Sequence, residues 1–196
     1  MLARLAVAAP LLPGGGVLAF IDMDSMQKRV YGHARQGAGF GHTKIQGKSL
    51  TVRGLNALAA VISTPLAAPV IAATRLRGGS ANSARGAASL AAEAIAAARQ
   101  AGCTGKIVFR MDSAYYSAAV LGAIRGGGAC FSVTARMDPK IRAAIAAIPG
   151  GAWTPVTYPR AVWDEDQQRL ISDAEVAEVP YQGSGVFRSY PVLCGM

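Results

Sequence analysis

Three aspartates stand where apolar segments give out. "VLAFIDMDS" (residues 17–25) passes through Phe20 and Ile21 into Asp22 and Asp24, and "IVFRM" (107–111) leads directly into Asp112. Residues two apart on a strand project to the same face. Like charges held that close repel in a dry site unless a cation or water lies between them. If the strand ending at Asp112 lies parallel beside the 17–24 strand, three carboxylates converge. Clustered hard oxygen ligands with open positions suit Mg²⁺ (or Mn²⁺), which keeps its waters and binds substrate phosphates. A plainer alternative makes Asp112 the N-cap of the helix after it, with Ser113 in reserve. The residues alone leave both open.

Such acids need a frame. The pattern predicts a strand at 17–24 that stops at the acids, and a second near 28–32 ("KRVYG") forming a hairpin with it. A Gly-rich loop, "HARQGAGFGHTKIQGKS", follows. Apolar segments at 50–62 and 70–76 read as strands, broken by Pro65 and Pro69. "SARGAASLAAEAIAAARQAG" reads as a helix with Ser83 as N-cap and Gly102 as its stop. A strand ending at Asp112, a helix through Ile124 and a strand at 129–135 come next. A helix then starts with Asp138 at the N-cap and Pro139 at N1. A meander followed by alternating helices and strands predicts an α/β fold, a mixed sheet with helices on its faces. Ligands of such sheets gather at the carboxyl ends of the parallel strands. The expected domains are a core over 17–150 and a β-rich piece over 151–196, where short Trp- and Pro-containing segments begin.

Composition bounds the class. The chain has 196 residues, 52% of them hydrophobic, and a mean hydropathy of +0.28, which is globular rather than disordered. No apolar run reaches the roughly 18 residues that span a bilayer. At the start, "MLARLAVAAPLLPGGG" is cut short by Pro10 and Pro13, which argues against a secretory signal and for a cytoplasmic protein without membrane partners. Cys103, Cys130 and Cys194 are odd in number and far apart, as expected of buried thiols in a reducing compartment. Trp153 and Trp163 are expected to pack inside the C-terminal piece. Of Tyr115 and Tyr116, one should pack and the other could meet a phosphate or a base.

The net charge of +9 is unevenly placed. No acid lies between Asp24 and Glu93, whereas residues 25–92 carry Lys28, Arg29, Arg35, Lys44, Lys48, Arg53, Arg75, Arg77 and Arg85, nine in all. The remaining 11 basic and 11 acidic residues cancel, so this block holds the whole excess. Solvated surfaces usually mix signs, and a one-signed block points to a polyanion, most often nucleic acid.

Three rival motifs fare worse. "QGKS" (46–49) would be the tail of a phosphate-binding loop, but that pattern needs glycine where His42 stands. "GAGFG" (37–41) opens no helix and so is not a dinucleotide fingerprint. "FIDMDSM" is similar to the D-x-D-x-T/V nucleophile loop of haloacid-dehalogenase-type phosphatases, with Met26 at the Thr/Val position. That family remains the enzymatic alternative, although it would leave the basic block without a purpose.

Taken together, "FIDMDSMQKRVYGHARQGAGFGHTKIQGKS", "RGLNALAAVISTPLAAPVIAATRLRGGSANSARGAA", "RMDSAYYSAAV" and "GAWTPVTYPRAVWDEDQQRLISDAEVAEV" resemble bacterial insertion-sequence transposases of the DDE group over roughly residues 17–181. The resemblance implies a ribonuclease-H-like core and Mg²⁺- or Mn²⁺-dependent DNA strand cleavage and transfer. It implies Asp24 as the first metal ligand, with Asp22 as its alternative, and Asp112 as the second. Transposon ends and target DNA would be the partners, held by Lys28, Arg29, Arg35, Lys44, Lys48, Arg53, Arg75 and Arg77. A homodimer is a candidate assembly, and the nucleoid the expected place. The family's third carboxylate, a glutamate on a helix beyond a β-rich insertion, has no match here. Asp164, Glu165, Asp166, Glu175 and Glu178 fall within that insertion by resemblance. The expectation is a transposase truncated at both ends, with a non-enzymatic DNA-binding remnant as the other reading.

The charge block carries its own prediction. If about six of its cations touch phosphates, log affinity for duplex DNA should fall against log salt with a slope near −5, each contact releasing about 0.9 counterion. Titrations across a salt series check it, and a slope near zero excludes a backbone cradle.

Overall fold

Alternation along the strands separates a buried face from an open one. The computed structural model describes residues 9–32, 34–45, 47–156, 163–166, 168–170, 174–181 and 190–195. In β1 (Leu18–Arg29), Ala19, Ile21 and Met23 are buried, while Leu18, Phe20, Asp22 and Asp24 take the other face. β5 (Lys106–Met111) repeats the pattern, burying Ile107, Phe109 and Met111. β1 and β5 run parallel, with Ile21 beside Phe109 and Asp22 beside Arg110. β6 (Cys130–Val133) extends the parallel part beyond β5.

On its other edge β1 pairs antiparallel with the long β3 (Lys48–Thr64). The far edge of β3 is shared end to end. β2 (Gly39–Ile45) pairs with residues 48–54, and β4 (Ala67–Gly78) with residues 55–64. Gly54 marks the handover, facing Arg29 of β1 and Gly39 of β2. A Cβ there would overlap the Lys28 carbonyl, and one on Gly79 would overlap the carbonyls of Gly39 and Gly54. Only glycine lets these backbones approach so closely.

α1 (Ala87–Gln100) and α2 (Ala118–Gly126) bring Leu90, Ala91, Ala94, Ile95, Val120, Leu121 and Ile124 into one core with the buried strand residues. The many alanines of α1 give a thin helix that lies close to the sheet. Leu12, ahead of β1, joins the same core. These elements make up the first of two compact units, residues 1–135. The second, residues 136–196, holds α3 (Pro139–Ala146), whose first turn is capped by Asp138 accepting from the Ile141 amide at 2.9 Å. It also holds a three-stranded antiparallel sheet of β7 (Thr154–Val156), β10 (Ala174–Tyr181) and β11 (Tyr190–Gly195), and a pair of β8 (Trp163–Asp164) with β9 (Arg169–Leu170). Among the described residues, a six-stranded mixed sheet and three α-helices make a mixed α/β chain compatible with a ribonuclease-H-like fold. Among the described residues no helix is long and apolar enough to cross a membrane.

Several sequence expectations need correction. β1 does not stop at Asp24 but continues to Arg29, so "KRVYG" starts no new strand. The polar end of β1 gains its ladder from β3, which periodicity within β1 cannot reveal. Pro69 does not break β4; it sits at a register irregularity between the pairs formed by Ile62 and Thr64, where an edge strand tolerates a missing donor. Within "QGKS", Gly47 takes φ 78° and Lys48 and Ser49 already belong to β3, with Lys48 paired to Ile45. Cys103 is buried, and burial pushes its thiol up, opposed by Arg99. Cys130, by contrast, is exposed on β6. Trp163 is exposed rather than core. Tyr115 is the tyrosine that packs.

The start of α1 is the most informative correction. Its N-cap is Gly86 at φ 74°, not Ser83. Arg77 is the reason. Its side chain is buried and donates to Asn56 Oδ1 and to the carbonyls of Asn82, Ser83 and Arg85. Residues 79–86 therefore wrap around the guanidinium instead of entering the helix, and Ser83 Oγ lies 3.0 Å from Ser25 Oγ. Arg77→Ala would strand the buried Asn56 Oδ1 and three part-buried carbonyls, each costly to leave unmet. The expected loss is about 2–4 kcal/mol, read as a lower urea midpoint. Arg77→Lys should recover little of it, because an ammonium lacks the planar fork.

Candidate functional site

The open face of the parallel pair carries the acids. Arg110 stands beside Asp22 across the β1–β5 ladder. Its Nε and Nη2 donate to Asp22 Oδ1 and Oδ2, both at 2.6 Å, and its guanidinium stacks on the Phe20 ring at 4.5 Å from the centroid. A bidentate fork of this kind fixes both partners in orientation as well as charge. The hydrogen bond to Asp22 holds the guanidinium pKa above its ordinary value, against the smaller opposing effect of burial and with the help of the Asp22 charge. Asp22 is thus already occupied.

Asp24 follows two residues further along β1, on the face of Asp22, and Asp112 is the residue just after β5 ends; both are exposed. Each uses one oxygen locally. Asp24 Oδ1 accepts from the Ser25 amide at 2.6 Å, and Asp112 Oδ1 accepts from the Ala114 amide at 2.9 Å as N-cap of the 3₁₀ turn Ser113–Tyr115. The capping role of Asp112 is therefore real, and it engages one oxygen of an exposed carboxylate.

Tyr115, three residues past Asp112, is fully buried, its hydroxyl with no hydrogen-bond partner among the described residues. Burial raises the phenol pKa first. Ser25 and Arg77 oppose that shift, and the charges of both Asp24 and Asp112 add to it. Among the described residues no cluster of three or more His, Cys, Asp or Glu forms. Mg²⁺ is nevertheless commonly held by one or two carboxylates with waters and substrate phosphates. The donor chemistry of Asp24 and Asp112, whose charges act on an unsatisfied buried hydroxyl, fits such an ion.

The basic block does not act as one surface. Lys28, Arg29, Arg35, Lys48 and Arg85 are exposed. Arg53 is half-buried and donates to the Gly32 carbonyl at 2.8 Å. Arg75 pairs with Glu93 and donates to Gly86 O and Ser89 Oγ. Arg77 leaves the set of candidate DNA contacts, since its guanidinium is engaged inside the fold. The Lys44 side chain and His33 lie outside the described residues. Sequence reading missed Arg110, although it had a signal: it precedes Asp112 by two residues, the period that links Asp22 to Asp24.

No protein-family model and no curated protein matches the chain. A solved structure, the crystal structure of the Mos1 strand transfer complex, is similar over 74% of this chain at 13% identity and a TM-score of 0.31. The match spans 44% of that structure's chain, less than half its length. A score of this size does not establish a shared fold.

The geometry ranks the three acids. Asp24→Asn or Asp112→Asn should weaken Mn²⁺ binding about tenfold or more, while Asp22→Asn, already committed to Arg110, should change it less than about threefold. Calorimetric titration of Mn²⁺ into each variant measures the order. Equal losses at all three positions would remove the distinction.

Proposed function

We propose that this chain carries the carboxylate pair of a DDE-type transposase core, with Asp24 and Asp112 as the ligands of a divalent cation and DNA as the substrate. The observation that supports the reading is the parallel pairing of β1 with β5, its ladder closing at Asp22 opposite Arg110, with Asp24 two residues on along β1 and Asp112 at the residue after β5 ends. Mg²⁺ or Mn²⁺ bound there would supply Lewis-acid polarisation of a phosphate oxygen and a water of lowered pKa. The chain's own part is positional. Asp112 is held by its capping bond and Asp24 by the Ser25 amide, so each oxygen set is oriented before any ligand arrives. The Arg110–Asp22 fork adds no net charge beside them. Lys28 on the same strand and the exposed arginines beyond it offer cations to the DNA backbone.

The haloacid-dehalogenase alternative loses ground on a specific feature. A nucleophile loop must leave the sheet after its acids, and β1 stays in the ladder for five residues past Asp24, through Arg29 opposite Gly54. A second reading, DNA binding without cleavage, is favoured by the absence of a third metal-ligating side chain at the pair among the described residues.

Supercoiled plasmid and end-repeat duplexes incubated with the purified chain in Mg²⁺ and in Mn²⁺ decide between them. The proposal expects slow, metal-dependent nicking, lost in Asp24→Ala and in Asp112→Ala while DNA binding is retained. Nicking that survives Asp112→Ala, or needs no metal, overturns it. Binding with no nicking under either metal leaves the non-enzymatic reading.

A further inference from the structure

Beyond the acids, the far end of β1 builds a separate site. An open cleft of about 320 Å³ is lined there by Arg29, Tyr31, Gly32, Phe40 and Arg53 among others. Two of its walls are aromatic rings that face solvent, Tyr31 at 70% exposure and Phe40 at 66%. Rings so exposed mark a surface that meets something. The Arg29 guanidinium lies over the Tyr31 ring, 4.9 Å from its centroid. Phe40 stands directly opposite Arg53 on the β2–β3 ladder.

The cleft is held in shape by the same cations that charge it. Arg35 Nε donates to the Tyr31 carbonyl at 2.9 Å, and Arg53 Nη1 to the Gly32 carbonyl at 2.8 Å. Gly32, at φ 98°, supplies the turn that presents that carbonyl. The loop that carries Tyr31 is therefore braced before any ligand binds, which lowers the ordering cost of binding. Exposed rings with adjacent guanidiniums in one cleft are the chemistry of an unpaired nucleotide. The base stacks on an aromatic face and the phosphate meets arginine, whatever the base. A matched duplex hides its base faces and can use only the cations.

We infer that this cleft takes an unpaired DNA base, stacked between Phe40 and the Arg29–Tyr31 pair with its phosphate toward Arg53. The inference rests on the DNA-binding reading above but not on the metal chemistry. Arg29 is five residues beyond Asp24, about 16 Å of extended strand, so changes in the cleft leave the carboxylate pair untouched.

The test is fluorescence anisotropy with the full chain in EDTA, against three labelled DNAs: oligo-dT, a duplex with one unpaired thymine, and the same duplex fully matched. The wild-type chain should prefer the first two, and replacing the unpaired thymine by an abasic residue should remove that preference. Phe40→Ala and Tyr31→Ala should each weaken binding to the unpaired DNAs about fivefold or more, and to the matched duplex less than about twofold. Both rings are largely exposed, so neither change opens the core. Phe40→Leu, which keeps an apolar side chain without the ring, should fall between wild type and alanine. No wild-type preference for unpaired DNA, or equal losses on all three DNAs, overturns the inference while leaving duplex binding intact. A chain that binds none of the three DNAs overturns both this inference and the DNA reading beneath it.

Discussion

The parallel pairing of β1 with β5 fixes more of this molecule than any other contact. With Ile21 beside Phe109, every odd residue from 19 to 23 and from 107 to 111 falls on the helix-covered face. The even residues then fall together on the open side. Because side chains alternate strictly, a slip of one residue would bury an aspartate and expose Ile21 or Phe109. The hydrophobic core thus sets the register, and the register sets which acids share a face. Asp22 is neutralised by Arg110 as a consequence of that same register. Without the fork, two carboxylates would crowd one strip of sheet and repel one another.

The second constraint is Arg77. A buried guanidinium must have its donors met, and the loop 79–86 supplies the carbonyls. That arrangement delays α1 until Ala87 and brings Ser83 against Ser25. It also sets a positive charge near the Tyr115 hydroxyl, opposing the rise that burial and the two aspartates impose on it.

Charge is divided by use. One arginine of the basic block is internal, another is paired with Glu93, and a third braces a carbonyl within the cleft wall. Of the exposed remainder, Lys28 and Arg29 end β1, Lys48 opens β3, Arg35 lies between β1 and β2, and Arg85 lies just before α1.

Sequence alone determined the helices, the strands that lead to the acids, the capping of α3 by Asp138 and the one-signed block. Each follows from periodicity or residue type, which are local. Sequence reading placed β2 (Gly39–Ile45), by contrast, in a Gly-rich loop. It could not determine the length of β1, because the polar half of that strand is held by β3 and shows no apolar alternation of its own. Nor could it tell an arginine left on the surface from one that binds backbone carbonyls, since residues 77 and 29 differ only in where the fold buries them. Asp22 and Asp24 looked equivalent for the same reason. The difference between them is Arg110, 88 positions away in the chain, and only the tertiary pairing of two parallel strands brings that cation to one acid and not the other.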